Sequence, residues 1–249
     1  MNGIARWARN TIKDSFLRIG VDVRTLDHTE GGILRRLLEA TRPAAVLDVG
    51  ANIGQYARQL RAVGYRGTIV SFEAVEAIHA RLVLAAQEDP AWIVAPCLAL
   101  GSAPARSSIK VSANTVSSSL LTVLPASVEV APLSNQIDVQ LVEIARLDDV
   151  LPRVLPSGGD LFLKIDTQGY ENEVLLGARG TLARTTALQL ELSLTPLYAG
   201  APVMWEMIRN IEERGFELFN LVPGFRDPAT GRLLQADGFF VRSLKSADS

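Results

Sequence analysis

The chain has 249 residues, 48% of them apolar, so it can bury one sizeable core, and we expect a single domain over residues 1–249. Its 25 Lys and Arg residues nearly balance its 27 Asp and Glu residues, which excludes the basic surface that nucleic-acid-binding proteins need. No apolar run is long enough to cross a bilayer, and the amino terminus lacks the apolar segment of a signal peptide, so we expect a cytoplasmic protein.

Residues 1–40 are predicted to form a helical cap that precedes the core at residues 41–242. Ile4, Trp7 and Phe16 are interleaved with basic residues over positions 1–20, which is typical of an amphipathic helix. We expect its apolar face to pack over the core or over a substrate cleft. Peripheral contact with a membrane surface is the alternative.

Apolar runs of strand length alternate with segments of helical periodicity along the core, which is typical of a parallel sheet with crossover helices. The pattern predicts an α/β fold with a Rossmann-like, doubly wound, seven-stranded sheet. The third run includes Cys97, which we expect to be a buried and unreactive thiol. The strands are predicted over residues 45–49, 68–72, 92–100, 160–165, 187–192, 216–221 and 238–241. The helices are predicted over residues 31–40, 54–63, 75–87, 171–177 and 202–214.

Residues 103–146 interrupt this alternation. Segments 107–112 and 137–144 have strand character on either side of the Ser-rich stretch 114–119, and they predict a β-hairpin inserted into the fold. We predict that the hydroxyl and amide groups of Ser118 and Ser119 bind the substrate, although serine is also common in loops because of its turn geometry.

The loop after the first predicted strand is the first candidate ligand site, because open α/β sheets bind ligands at the carboxyl ends of their strands. Gly50 lets the backbone approach a ligand, Gly54 permits tight packing where the next helix begins, and Asp48 places a carboxylate at the crevice floor. The loop, which also contains Asn52, lacks the middle glycine of the G-x-G-x-x-G pattern that binds dinucleotide pyrophosphates. An acid there suits a ligand with an ammonium group, such as the methionine part of S-adenosylmethionine.

The second predicted strand ends at Glu73, 23 residues beyond Gly50, where an acid can bind the two hydroxyls of a ribose. The alternative is an acid favoured by the dipole of the following helix. At the end of the third strand, Leu100 is predicted by its position to flank an adenine. The candidate cofactor-binding residues are therefore Asp48, Gly50, Asn52, Gly54, Glu73 and Leu100.

Six segments follow one another along the chain: VLDVGANIG at 46–54, SFEA at 71–74, SSSL at 117–120, RLDDV at 146–150, LKIDTQGYE at 163–171 and QLEL at 189–192. Together, in this order, they resemble the FkbM-type methyltransferase family, a branch of the class I, Rossmann-like S-adenosylmethionine enzymes. The resemblance spans residues 44–242 and implies S-adenosylmethionine as cofactor and O-methyl transfer, often to sugars or secondary metabolites. Ala74 stands where the family commonly has Pro. Gln168 lies in Thr-Gln-Gly where Val-Glu-Gly is common, which removes a carboxylate otherwise expected as a catalytic acid or metal ligand.

Methyl transfer to an alcohol needs alignment of the reactants and either a base or a metal ion that acidifies the hydroxyl. Asp166 ends the fourth predicted strand and Glu191 the fifth, so we predict both as catalytic residues in the crevice. The same two carboxylates are the candidate ligands if a divalent metal such as Mg²⁺ takes part, which the sequence leaves open. The alternative is structural, with Asp166 capping a helix and Glu191 bonded to buried backbone.

Other candidates have weaker signals. His28 lies in a polar helix start and His79 in a predicted helix, so neither is favoured as a base, and Lys164 is expected to form a salt bridge. Aromatic residues after strands five and six could form an apolar wall for an acceptor: Tyr198, Trp205 and Phe225. Trp205 is nevertheless expected in the core because Met207 and Ile211 share its helical segment. Asp237, followed by a glycine, is interpreted first as a turn residue and second as a site residue.

The leading hypothesis is an S-adenosylmethionine-dependent O-methyltransferase that acts on a hydroxyl of a sugar, glycolipid or other secondary metabolite. An N-methyltransferase of a small molecule is the nearest alternative. A nicotinamide-dependent oxidoreductase is disfavoured by the missing middle glycine and by the absence of a Tyr-x-x-x-Lys pair. A Rossmann-like binding module without catalysis is the third alternative. The acceptor, the metal dependence and the oligomeric state stay open.

Overall fold

The computed structural model describes residues 15–16, 18–20, 29–112, 118–124, 136–156 and 158–243. The predicted amphipathic segment at positions 1–20 and His28 therefore lie mostly or wholly outside the described residues. No helix in the described ranges combines the length and the apolar character that a membrane span requires.

A seven-stranded sheet forms the centre of the fold, as predicted. Its spatial order is β3-β2-β1-β7-β8-β10-β9, with β10 antiparallel to both of its neighbours and the other pairings parallel. The chain runs from β1 outward through β2 and β3 on one side and through β7 and β8 on the other, so the strand order reverses between β1 and β7. Such a reversal opens a crevice at the carboxyl ends of the strands. Its strands are β1 (Ala45–Val49), β2 (Thr68–Phe72), β3 (Trp92–Val94), β7 (Leu161–Ile165), β8 (Thr185–Ser193), β9 (Phe216–Pro223) and β10 (Gln235–Arg242).

A second sheet of three strands contains the predicted hairpin insertion. β5 (Ala105–Ser112) and β6 (Gln136–Ala145) pair antiparallel, and β4 (Ala99–Leu100) pairs parallel with β6. The prediction of one strand over residues 92–100 was wrong, because β3 ends at Val94 and β4 belongs to the other sheet. Pro96 explains the break, since proline has no backbone N–H to donate to a ladder. Cys97 follows it and is exposed, so the expectation of a buried thiol was also wrong.

The helices pack on both faces of the seven-stranded sheet. Those predicted are present with slightly shifted ends: α1 (Glu30–Thr41), α2 (Gln55–Ala62), α3 (Glu76–Ala86), α5 (Glu171–Leu176) and α7 (Met204–Glu212). Among the described residues, two further helices were not predicted, α4 (Leu147–Val154) and α6 (Arg179–Leu182). The carboxylate of Asp148 in α4 accepts hydrogen bonds from the amides of Gly180 and Thr181, and so satisfies free N–H groups at the start of α6.

Two apolar layers enclose the sheet. One layer joins the α1 and α2 faces to alternate strand residues such as Val46, Phe162 and Phe239, all fully buried. The other joins α4, α5 and α7 to the opposite strand face. In α7, Met207 and Ile211 are buried, but Trp205 is 58% exposed, so the expectation that Trp205 lies in the core was wrong. Its position beside the buried stripe turns it to the solvent side of the helix.

Candidate active site

A cavity of ≈ 260 Å³ lies over the carboxyl ends of β1, β2 and β7, at the reversal of strand order. One part of its wall is largely apolar and is formed by Phe72, Ala74, Leu98, Ala99, Leu100, Ile109 and Leu120. The other part is polar and is formed by Glu30, Gln55, Gln59, Gln189, Asp166, Thr167, Gln168 and Asp237, with the ring of Tyr56. The cavity therefore offers an apolar slot that continues into a hydrogen-bonding chamber.

The loop 50–54 forms the edge of the cavity between β1 and α2. Gly50 has a left-handed φ of 74°, and a Cβ added there would lie 1.9 Å from the backbone oxygen of Asp166. No other residue fits this position, because the loop packs directly on the end of β7. Gly54 also has a positive φ, and a Cβ there would lie 2.4 Å from the ring of Trp92. Gly54 does not line the cavity. It lies at the start of α2, where it packs closely against Trp92.

Asn52 in this loop and Glu73, directly after β2, are joined by a hydrogen bond, and both residues line the cavity. The backbone amide of Asn52, at a φ of 49°, donates to Oε2 of Glu73 over 2.9 Å. Oε1 of Glu73 accepts from the amides of Ala74 and Val75, at 2.9 and 2.8 Å, where α3 begins. Burial raises the pKa of Glu73, and these backbone hydrogen bonds oppose the rise. The acid is thus both fixed at a helix start and presented to the cavity.

Asp48 lies beneath the cavity and does not line it. Its side chain is fully buried, with Oδ1 at 3.1 Å from Nζ of Lys164, and the hydroxyl of Ser71 donates to Oδ2 over 3.4 Å. Lys164 also donates to the backbone oxygen of Gly50 at 3.1 Å and lies 3.6 Å from Oδ2 of Asp166. Burial raises the pKa of Asp48 while Lys164 lowers it. Burial alone would lower the pKa of Lys164, but the two carboxylates hold it above its usual value.

Asp166 and Glu191 are brought together by the side chain of Gln168. Nε2 of Gln168 donates to Oδ1 of Asp166 at 2.7 Å and to Oε2 of Glu191 at 2.9 Å. Glu191 also accepts from Nε2 of Gln235 at 2.7 Å. Asp166 and Gln168 line the cavity, whereas Glu191 lies behind them. Burial, followed by the charge of Asp166, holds the pKa of Glu191 well above its usual value.

The loop that presents Gln168 is held from several directions. Gln168 has a left-handed φ of 55°, and its Oε1 accepts from the hydroxyl of Tyr198 at 2.5 Å. Its backbone oxygen accepts from Oγ of Ser119 at 2.6 Å. Oε1 of Glu171 accepts from the amides of Thr167 and Gly169, at 2.9 and 3.1 Å. Burial raises the pKa of Glu171 to about 7 despite these bonds. The loop conformation is therefore determined by contacts with three other segments.

Segment 118–124 covers one side of this loop. Ser118 lines the cavity, and its Oγ accepts from the amide of Ser112 at 3.2 Å. Ser119 is buried against Gln168 and does not line the cavity, so the two predicted serines have different positions. Val123 forms a β-bridge with Tyr198, which packs with Phe225 in a small apolar cluster outside the cavity. His79 is also remote from the cavity, with Nε2 at 2.8 Å from the backbone oxygen of Ala95.

Several polar residues of the chamber were absent from the predicted site residues, and Asp237, Gln189 and Tyr56 are three of them that form a chain of hydrogen bonds. Asp237 is in β10, directly opposite Glu191, and lines the cavity, so its first interpretation as a turn residue was wrong. Its Oδ1 accepts from Nε2 of Gln189 at 3.4 Å, and Oε1 of Gln189 accepts from the hydroxyl of Tyr56 at 2.6 Å. Burial raises the pKa of Asp237 to about 6. Alternate residues of a strand share a face, so Asp237 lies on the same face as the buried Phe239. This placement of an acid was the signal that could have identified Asp237 as a site residue.

The residues present do not fit a divalent metal ion. Mg²⁺ and Ca²⁺ are bound by oxygen ligands, and the candidate pair is Asp166 and Glu191. The amide nitrogen of Gln168 lies between these carboxylates and donates a hydrogen bond to each. Within the described ranges, no group of three or more His, Cys, Asp or Glu side chains is arranged to hold a metal ion.

Comparison with known proteins gives one family match. The model of the methyltransferase FkbM domain matches residues 48–218. A search of curated protein sequences gives no match.

Solved structures resemble the chain at low sequence identity. A candidate O-methyltransferase of Klebsiella pneumoniae has a TM-score of 0.49 and 12% identity, covering 94% of this chain and 89% of its own. Cofactor-bound Rv0187 from MTB has a TM-score of 0.47 and 13% identity, covering 97% and 90%. A candidate RNA methyltransferase of Pyrococcus horikoshii has a TM-score of 0.44 and 14% identity, covering 87% and 83%.

Proposed function

The chain belongs to the FkbM family of S-adenosylmethionine-dependent methyltransferases, and on this premise we propose that it transfers the methyl group of S-adenosylmethionine to a hydroxyl of a sugar, glycolipid or other secondary metabolite. The observation that carries the proposal is the pairing of Asn52 and Glu73 beside an apolar slot at the reversal of strand order.

The slot and the acid fit an adenosine. Phe72, Leu98, Leu100 and Glu73 line the cavity. We infer that the first three contact the base and that the carboxylate of Glu73 accepts hydrogen bonds from the two hydroxyls of the ribose. Three backbone amides hold that carboxylate, so little side-chain freedom is lost when a ligand binds. We therefore assign Gly50, Asn52, Glu73 and Leu100 to direct contact with the cofactor. Asp48 and Gly54 support the loop from below and behind.

The charge of the cavity favours a sulfonium donor over a dinucleotide. Among the described residues that line it, Lys164 is the single basic side chain, against four acidic ones, Glu30, Glu73, Asp166 and Asp237. Lys164 is already paired with Asp48. A pyrophosphate would be repelled by this excess of negative charge, whereas the positively charged sulfur and ammonium of S-adenosylmethionine would be attracted.

Asp166 is the proposed base. S-adenosylmethionine would supply the methyl group, with the neutral thioether S-adenosylhomocysteine as the leaving group. Asp166 would accept the hydroxyl proton on a carboxylate oxygen as the acceptor oxygen bonds to the methyl carbon. Glu191 and Gln168 keep Asp166 oriented from behind, and Ser118 is proposed to hydrogen-bond the acceptor.

The same charges favour O-methylation over N-methylation. An amine must be unprotonated to attack, and the surrounding carboxylates would instead stabilise its ammonium form. A neutral hydroxyl has no such disadvantage and benefits from a nearby proton acceptor. The polar chamber, with its Gln and Tyr side chains, also suits the many hydroxyls of a sugar.

Calorimetric titration with S-adenosylmethionine, S-adenosylhomocysteine and NAD tests the donor site. We expect both sulfur ligands to bind in the micromolar range or better and NAD to bind at least tenfold more weakly. Absence of binding of both sulfur ligands to the folded protein would refute the proposal, and preference for NAD would favour an oxidoreductase.

A further inference from the structure

The carboxamide of Gln168 lies between Asp166 and Glu191, at the position that a cation shared by the two acids would occupy. A single nitrogen, Nε2, lies within 2.7 Å of Oδ1 of Asp166 and 2.9 Å of Oε2 of Glu191. The amide thus donates both of its protons to carboxyl oxygens, one on each acid.

The orientation of this amide is determined by its surroundings. If the group were turned over, both acids would lose the N–H donor that they share, and the hydroxyl of Tyr198 would face the amide nitrogen and not an acceptor oxygen. On the other side, Oε1 accepts from the hydroxyl of Tyr198 at 2.5 Å. The left-handed backbone of Gln168 and the bond from Ser119 to its backbone oxygen fix the place from which the side chain extends.

We propose that Gln168 is a positioning residue that takes the place of a divalent cation, so that Asp166 and Glu191 are held together without metal. Its two N–H groups donate to the oxygens of the two acids that face each other. In a metal site, a shared cation makes the corresponding favourable contacts with both acids. Because the amide is neutral, the pair keeps its net negative charge beside the cavity.

A consequence is that one substitution should create a metal site. In Gln168→Glu, the side chain has the same length, but carboxylate oxygens replace the bridging amide nitrogen. Three carboxyl groups would then converge with no amide nitrogen between them, and oxygen-rich sites of this kind bind Mg²⁺ or Mn²⁺. The wild-type protein could coordinate a cation only by turning the amide over, which would remove the acceptor of the Tyr198 hydroxyl.

The test is a titration of metal-free protein with Mn²⁺, followed by electron paramagnetic resonance and calorimetry. We expect no saturable binding to the wild type below about millimolar Mn²⁺, and at least tenfold tighter binding to Gln168→Glu, which corresponds to ~1.4 kcal/mol. Gln55→Glu is the matched control, because it adds the same charge to the wall of the same cavity from α2, an element that holds neither acid of the pair. It should bind Mn²⁺ no better than the wild type.

Three results would overturn the proposal. One is saturable binding of Mn²⁺ to the wild type that is lost in Glu191→Gln. Another is equal gain of affinity in Gln55→Glu and Gln168→Glu, because the gain would then come from charge alone. The third is a folded Gln168→Glu that has no gain. If Gln168→Glu does not fold, the wild-type titration with its Glu191→Gln comparison still decides.

This proposal rests on the proposed function only where Asp166 is taken as the catalytic base. Mn²⁺ affinity is measured without donor or acceptor, so failure of the methyl-transfer proposal would leave this result unchanged, and the reverse also holds.

Discussion

Nζ of Lys164 lies 3.1 Å from Oδ1 of Asp48, and this buried ion pair joins the two central strands, β7 and β1, directly beneath the cavity. The same ammonium donates to the backbone oxygen of Gly50, so the ion pair also holds the loop that borders the cofactor slot. Removal of either charge would leave the other uncompensated in the core.

Lys164→Met should therefore destabilise the protein by about 3–5 kcal/mol, the usual cost of breaking a buried pair. Chemical denaturation measures the change. Arg106→Ala is the control, because Arg106 and Glu143 form an ion pair whose side chains are 71% and 72% exposed, and exposed pairs contribute about 0–1 kcal/mol. Equal effects of the two substitutions would show that the Lys164 pair has no special structural role.

Glu73→Gln should weaken binding of S-adenosylhomocysteine at least tenfold. The substitution keeps the shape but turns a strong double acceptor into a group with one acceptor oxygen, so the ribose and the amide of Asn52 compete for it. Calorimetry measures the affinity. Glu76→Gln, on the exposed side of the neighbouring helix start, should leave it unchanged. If the two variants bind alike, Glu73 does not contact the cofactor.

Gly50→Ala should lose both stability and cofactor binding. The new Cβ would lie 1.9 Å from the backbone oxygen of Asp166 in a left-handed backbone conformation, so the loop must move away from β7 at a cost of at least ~2 kcal/mol. Gly158→Ala is the control, because nothing lies within 4 Å of the position that its new methyl group would take. Thermal unfolding with and without S-adenosylhomocysteine compares the two. An unchanged midpoint and ligand shift in Gly50→Ala would contradict the close packing.

Asp237→Asn should change the pH dependence of stability. Burial raises the pKa of Asp237 from 3.8 to about 6, so the folded state keeps a proton that the unfolded chain has lost between these values. Stability from this group is therefore present at low pH and falls as pH rises through the window between them. The uncharged Asn still accepts a hydrogen bond from Gln189 and does not lose stability as the pH rises. The variant should melt like the wild type at low pH and at a higher temperature above neutrality, whereas a difference that is independent of pH would contradict the shift.

The sheet was predictable because each of its strands is an apolar run bounded by polar turns, and β1 and β2 have the predicted ends. The division of residues 92–100 was not predicted, since their apolar character is continuous and only Pro96 indicates the break. That residues 1–249 form a single domain and that the protein is cytoplasmic stay predictions.

The site was predictable only in part. Its position and the contribution of Gly50, Glu73 and Asp166 to the cavity wall follow from the ends of strands in a parallel sheet. The ion pair of Asp48 depends on the register that sets it opposite Lys164, more than a hundred residues away. The bridge made by Gln168 depends on one left-handed loop residue and on Tyr198, and neither relation is visible in a linear sequence.

The most direct test of the central claim is methyl transfer from carbon-13-labelled S-adenosylmethionine to sugar, glycolipid and small-metabolite fractions. Nuclear magnetic resonance of the product shows whether the labelled carbon is attached to oxygen or nitrogen. We predict an O-methyl product with the wild type. With Asp166→Asn we predict no product, although its affinity for S-adenosylmethionine stays within a few fold. An N-methyl product, or equal turnover in Asp166→Asn, would contradict the account.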